Sequence, residues 1–144
     1  MYVEYYPVCP EVECGLPAPR ESMRLEGDPH APRLVASRSR RDLTGQMLAW
    51  ARGKLDEIEK EDLCGFIFKA NSPSSGMERI KVYDENGVPQ KIGRGIFAGA
   101  FIERFPLVPV EDEGRLHDPS IRENFIERVF VFKRWRQLIS RGKK

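Results

Sequence analysis

The stretch Leu63-Cys-Gly-Phe-Ile-Phe68 runs directly into Lys69-Ala-Asn-Ser-Pro-Ser-Ser-Gly-Met77. The first part is apolar and alternates little, as expected of a strand covered on both faces. The second part gathers three serines, a proline and a glycine, which suits either a tight turn or a loop whose main chain a ligand can approach closely. An apolar strand that ends in such a loop is a unit of an α/β domain, and the flanking segments extend it in both directions.

Upstream, Asp42 or Thr44 can cap a helix whose apolar residues Leu43, Met47, Trp50, Ala51, Leu55 and Ile58 recur at helical spacing. It ends in the acidic cluster from Glu57 to Asp62. Met23–Leu25 and Arg33–Ala36 form a strand pair around Gly27-Asp-Pro-His-Ala-Pro32, where nearly every residue favours a turn. Tyr2–Val8 is rich in β-branched and aromatic residues and predicts a strand running into the loop Cys9–Arg20. Downstream, Ile80–Tyr83, the turn Glu85-Asn-Gly87 and Val88–Ile92 suggest a hairpin. Gly95–Arg104 predicts a short helix and Leu107–Val110 another strand. This alternation predicts an α/β fold with a mainly parallel sheet flanked by helices. Loops after the carboxyl ends of such strands face one crevice, where the loops starting at Cys9 and Asn71 are expected to converge. Beyond Asp118-Pro119, the residues Ile121, Phe125, Ile126, Val129, Phe130, Trp135, Leu138 and Ile139 describe a C-terminal amphipathic helix.

The chain has 144 residues, 40% of them apolar, enough for one domain with a real core. Its net charge of +2 points neither to a trap for acidic substrates nor to a generic nucleic-acid binder. Charge is unevenly placed, because seven Lys/Arg and no acid follow from Arg128 onward, leaving residues 1–127 at −5. That basic tail is either a solvated face or an RNA contact. No segment approaches the roughly 20 apolar residues that span a bilayer, and the N-terminus lacks a leader pattern, so a cytoplasmic protein is expected. Three cysteines at irregular spacing do not outline a disulfide framework.

Cys9-Pro-Glu-Val-Glu-Cys14 offers two thiols and two carboxylates, which suit a soft metal or an iron-sulfur cluster and proton transfer. Structural cysteines are the alternative for Cys14 and Cys64. Gly93-Arg-Gly-Ile-Phe-Ala98 imitates a dinucleotide fingerprint, but late in the chain, and small residues for close packing explain it as well. The arginines Arg38, Arg40 and Arg41 suit a phosphate or a solvated turn. His30 and His117 have no evident partner.

Several ordered motifs together resemble one family. They are Pro7-Val-Cys-Pro-Glu-Val-Glu13 with Gly15-Leu-Pro17 and Pro19-Arg20, then Arg41-Asp-Leu-Thr44, then Phe68-Lys69 and Ser72-Pro-Ser-Ser-Gly-Met-Glu-Arg-Ile-Lys-Val-Tyr83. They are similar to the 2-thiouracil desulfurase family, the N-terminal domain of YbgA-type proteins, long catalogued as a domain of unknown function. Residues 118–130 further resemble the junction into the helical second domain of those proteins. The resemblance implies a desulfurase-like domain over residues 1–114, and over 115–144 a linker with the first helix of a shortened second domain.

The resemblance also implies chemistry: non-redox removal of sulfur from thiolated nucleobases at a 4Fe-4S cluster held by three cysteines. Cys9 matches one metal ligand. Glu11, Glu13 and Ser72 fall where catalytic groups are expected, and Ser74, Ser75, Gly76 and Arg20 where the substrate binds. A second ligand belongs to a family strand with no counterpart before Tyr2, and Ser75 stands where the third cysteine is usual. A hydroxyl is a far poorer iron ligand than a thiolate. Impaired desulfurase chemistry is therefore expected, with a non-catalytic small-ligand or nucleobase binding module as the alternative. A second copy or a companion chain is expected to fill the place of the missing N-terminal strand.

Overall fold

The computed structural model describes residues 5–16 and 20–142. Its elements run α1 (Pro10–Glu13), β1 (Met23–Glu26), β2 (Arg33–Ala36), α2 (Thr44–Lys60), β3 (Phe66–Phe68), β4 (Ile80–Tyr83), β5 (Pro89–Gly93), α3 (Ile96–Arg104), β6 (Val110–Asp112) and α4 (Pro119–Gly142). A single 3-10 turn, Arg115–His117, precedes α4.

The fold is α/β with mixed sheets flanked by helices and a C-terminal helix. One sheet has the order β2-β1-β4-β5, and β3 pairs with β6 in a second. Parallel ladders occur where helices intervene, between β1 and β4 and between β3 and β6. The two hairpins, β1/β2 and β4/β5, add antiparallel ladders of comparable extent, so parallel pairing prevails only across the crossovers. Both hairpins fall where turn residues predict them. Gly27 and Gly87 take φ of +91° and +77°, the left-handed region that glycine occupies without a Cβ penalty.

Three expectations shift. Tyr5–Val8 forms no strand: it has no ladder partner among the described residues, and an extended segment without one gains no cross-strand hydrogen bonds. Tyr2–Glu4 lie outside the described residues. β3 is shorter than its apolar run and is covered on one face only. Phe68 is 1% exposed, whereas Ile67 is 51% exposed. The last strand begins at Val110 instead of Leu107. The Phe66 amide donates to the Pro109 carbonyl at 3.0 Å, so pairing starts only where the chain leaves Pro109.

Helix α2 behaves as its periodicity requires, burying Met47, Ala51, Leu55 and Ile58. Asp42 Oδ1 accepts the Thr44 amide at 3.0 Å, and Thr44 Oγ1 accepts the Leu34 amide at 2.7 Å, which ties the helix start to β2. At α4, Asp118 Oδ1 accepts the Ser120 amide at 2.8 Å, an N-cap followed by proline at the first helical position.

An aromatic cluster joins the second sheet to α3. Phe101 lies 4.5 Å from Phe66, 5.5 Å from Phe68 and 5.1 Å from Phe105, ring centre to ring centre, and is fully buried. Trp50 of α2 reaches the same cluster through Phe97 at 5.2 Å. A two-stranded sheet of three-residue strands is marginal by itself, so this cluster is what holds β3 and β6 to the rest of the fold. Phe101→Ala is expected to lower stability by about 3–5 kcal/mol, read as a fall in the urea midpoint with an unchanged slope.

Candidate functional site

The serine loop is built from its main chain. Asn71 takes φ of +57°, the left-handed region, and starts the loop after β3. Ser72 Oγ then accepts the amides of Ser74 at 3.3 Å and Ser75 at 3.0 Å, while Gly76 N–H donates to the Ser72 carbonyl at 2.8 Å. The outward carbonyls are taken by the start of α3. Gly95 N–H donates to the Gly76 carbonyl at 2.7 Å, Ile96 N–H to Pro73 at 3.1 Å, and the Phe97 and Ala98 amides to Ser74 at 2.9 and 3.2 Å. The first amides of a helix have no partner inside the helix, and here the loop supplies it. The loop is therefore braced on a helix terminus.

Gly95 permits this approach. A Cβ there would sit 2.6 Å from the Ser74 carbonyl carbon and 2.8 Å from the Ser75 nitrogen. Gly93 is likewise pressed against Val82 and the Ile80 carbonyl. Close packing thus accounts for the imitation of a dinucleotide fingerprint.

The two expected loops do meet. Ser74 Oγ donates to Glu11 Oε1 at 3.1 Å across 63 positions of sequence. Glu11 Oε2 accepts from Arg20 Nε at 3.0 Å and forms an ion pair with the same guanidinium. Ser72 Oγ and Ser74 Oγ are 3.1 Å apart, and Ser75 Oγ lies 3.4 Å from Ser74 Oγ. Ser74 is 1% exposed and Ser72 8%, so both stand behind the surface, while Glu11, Arg20 and Ser75 are partly exposed. A cavity of about 230 Å³ lined by Leu16, Met23, Leu43 and Arg41 shares Arg20 with this constellation.

Glu13 is turned elsewhere. Its Oε2 accepts the Cys9 amide at 2.7 Å, and its Oε1 pairs with Lys54 Nζ at 2.8 Å. Burial raises the Glu13 carboxyl, but the Lys54 hydrogen bond, the Cys9 amide and the Lys54 charge outweigh it and hold the group below the usual range. Burial alone would lower Lys54. Its hydrogen bonds to Glu13 and Tyr6 reverse that and hold it above the ordinary lysine value. Lys54 is the residue that sequence reasoning missed, whereas the close packing read from Gly93–Ala98 is found at Gly95. Lys54 occupies an ordinary helical position, and only the fold reveals that its side chain is 10% exposed and clamps α1 to α2.

The thiols do not converge. All three cysteines are free. Cys9 is exposed at the start of α1. Cys14 Sγ donates to the Glu11 carbonyl at 3.5 Å, and burial pushes this thiol up. Cys64 Sγ donates to the Asp62 carbonyl at 3.7 Å and precedes β3, whereas the serine loop follows it. Among the described residues, no group of three or more His, Cys, Asp or Glu side chains is arranged to hold a metal ion. Arg40 is bound by Glu26 at 2.6 and 2.7 Å, and His30 and His117 are exposed, so these residues join no site.

A family model described as 2-thiouracil desulfurase matches residues 1–113. The chain belongs to the 2-thiouracil desulfurase family. A solved structure described as the 4Fe-4S-dependent thiouracil desulfidase TudS is similar in fold, with a TM-score of 0.58 and 26% identity. The match covers 81% of this chain and 72% of that one. Among curated proteins none matches. The described donors do not fit a three-thiolate cluster: one thiol is exposed, one is bonded to a carbonyl, one lies before β3, and Ser75 contributes a hydroxyl.

Two outcomes test the framework. Gly95→Ala is expected to force the serine loop off α3 and cost about 1–3 kcal/mol, with faster amide exchange at Ser74–Gly76. Lys54→Met removes a pair in which the folded Glu13 is more acidic, and the folded Lys54 more basic, than their ordinary 4.5 and 10.5. The Glu13 contribution is present above about pH 4.5 and is lost as pH falls through the folded value. The Lys54 contribution is present below about pH 10.5 and is lost as pH rises through the folded value. The stability gap between wild type and variant, measured by urea titration, is therefore widest between those limits and shrinks on either side.

Proposed function

We propose that this chain is a desulfurase-like domain that seats a thiolated nucleobase, with the family's cluster chemistry impaired. The observation that carries the proposal is the Ser74–Glu11 hydrogen bond, which joins the loop that starts at Cys9 to the serine loop. Glu11 is a carboxylate with two kinds of donor behind it, and such a group accepts ring N–H from a pyrimidine. Arg20 and the Ser75 hydroxyl donate, which suits the carbonyl or thiocarbonyl of the same ring. Gly76, packed on Ile80, gives the floor no side chain. Buried Ser72 and Ser74 act through the loop and through Glu11, as positioning residues. Glu13, spent on Lys54 and the Cys9 amide, is not the proton-handling group in this proposal.

Cys9 is the one thiol at a matched ligand position, and Ser75 stands where a second is usual. That donor set favours the second function, a binding module without a cluster. A cytoplasmic location, and a division of the chain after residue 114, where the family match at 1–113 gives out, are parts of the same proposal.

The test uses metal-free protein and anaerobic reconstitution side by side. Titration calorimetry is expected to show binding of 2-thiouracil and of uracil, weakened at least tenfold by Glu11→Gln. Incubation with iron and sulfide is expected to leave the protein without broad visible absorption or stoichiometric iron. A full cluster would overturn the impairment, and absence of binding to both bases would overturn the seating.

A further inference from the structure

Helix α4 uses only one of its faces in the fold. Phe125 and Phe132 are buried, Ile121 and Val129 are half-buried beside them, and Arg136 Nη1 donates to the Leu63 carbonyl at 2.6 Å. At 3.6 residues per turn these five positions share a stripe. A neighbouring stripe, made of Asn124, Val131, Trp135 and Leu138, is open to solvent. Val131 is 66% exposed, Trp135 45% and Leu138 62%, and Leu107 of the α3–β6 loop, 66% exposed, extends the same patch. Val131, Trp135 and Leu107 line a single groove between that loop and the helix. Large apolar side chains in one contiguous patch mark an interaction surface.

The charges along the rim say what covers it. Glu127, Arg134 and Arg141 recur every seven residues on the flank of the apolar stripe, all exposed. No ion pair engages any of the three among the described residues. Acid precedes base along the helix. A second α4 laid antiparallel, with a two-fold axis between Val131 and Phe130, brings Glu127 of each helix to Arg134 of the other. A parallel mate would set Glu127 against Glu127 and Arg134 against Arg134. The patch is thus self-complementary in charge and apolar at its centre, the pattern of an isologous interface.

We infer that α4 is a homodimer interface, in which two copies of this chain pair antiparallel through Val131, Trp135, Leu138 and Leu107. The inference is independent of the crevice proposed for the nucleobase.

Sedimentation velocity on the full chain at micromolar concentration is expected to give a dimer. Leu138→Asp, at a position 62% exposed in the single chain, is expected to give a monomer with unchanged far-UV circular dichroism. Glu127→Arg and Arg134→Glu each replace two attractive contacts by two repulsive ones, and each is expected to weaken the homodimer about tenfold. Mixed in equal amounts, these two variants restore complementary pairs and are expected to dimerise with each other as tightly as wild type. A wild-type monomer at all concentrations, an unchanged mass after the single reversals, or a mixture that fails to recover the dimer would each overturn the inference.

Discussion

The site rests on a helix terminus whose amides are answered by a loop. The amides of Gly95, Ile96, Phe97 and Ala98 all donate to carbonyls between Pro73 and Gly76. Unsatisfied amides at a buried helix start are costly, and a loop rich in carbonyls turned the right way removes that cost. In return the loop loses its freedom. With the Ser74 carbonyl held by α3, its hydroxyl lies between Ser72 Oγ and Glu11 and donates to the carboxylate. The local hydrogen bonds of Ser72 add a second restraint from inside the loop. A polar cluster assembled in this way is held in place by the fold itself, and any ligand it took would meet a low ordering cost.

The same bracing limits what each group can do. A helix N-terminus often holds an anion, but here the first amides of α3 are occupied by main-chain oxygens. The first amides of α3 are therefore turned to the serine loop and not to solvent. Similarly, α1 carries two carboxylates two residues apart, and the fold sends them in different directions. Glu11 goes to Ser74 and Arg20, while Glu13 goes to Lys54 and back to the Cys9 amide. The pairing of Glu13 with the amide four residues earlier resembles a reciprocal cap, and it stabilises a helix of only four residues that would not persist alone.

Much of the fold was legible because it is set by short-range chemistry. The two hairpins announce themselves through Gly27 and Gly87, α2 through its apolar spacing, and α4 through Asp118-Pro119. The meeting of the Cys9 and Asn71 loops was expected too, but from a strand before Cys9 that does not form; the loops are joined instead by the Ser74–Glu11 hydrogen bond. Properties decided by distant partners were not legible. Tyr5–Val8 has strand composition and no strand, because composition cannot supply a neighbour. The exposure of Ile67 on one face of β3 depends on what packs there. Lys54 carries no local signal of its importance, since it needs α1 to acquire it, and the small residues of Gly93–Ala98 signal close packing without saying that the serine loop is what they approach.

Within α4, the stripe of Phe125 and Phe132 and the stripe of Val131, Trp135 and Leu138 are chemically alike, yet only the first is buried in the chain. A single amphipathic face would need about half as many apolar positions; Trp135 stacks on Phe132 with ring centres 5.8 Å apart, while Val131 and Leu138 stay open to solvent. The first stripe packs on the body of the domain, and the second is left facing solvent. That packing runs through Phe125 and Val129 beside Gly65 and through the Arg136 hydrogen bond to the Leu63 carbonyl. The basic surplus after Arg128 does not by itself demand nucleic acid, because its members divide by face. Arg128 and Arg136 lie over Phe125 and Phe132 and serve the intramolecular contact, while Arg134 and Arg141 stand beside the exposed stripe. The amphipathic pattern read from the sequence thus mixes buried Phe125 with the exposed Ile126, Phe130, Trp135, Leu138 and Ile139, which only the packing of α4 on the domain separates.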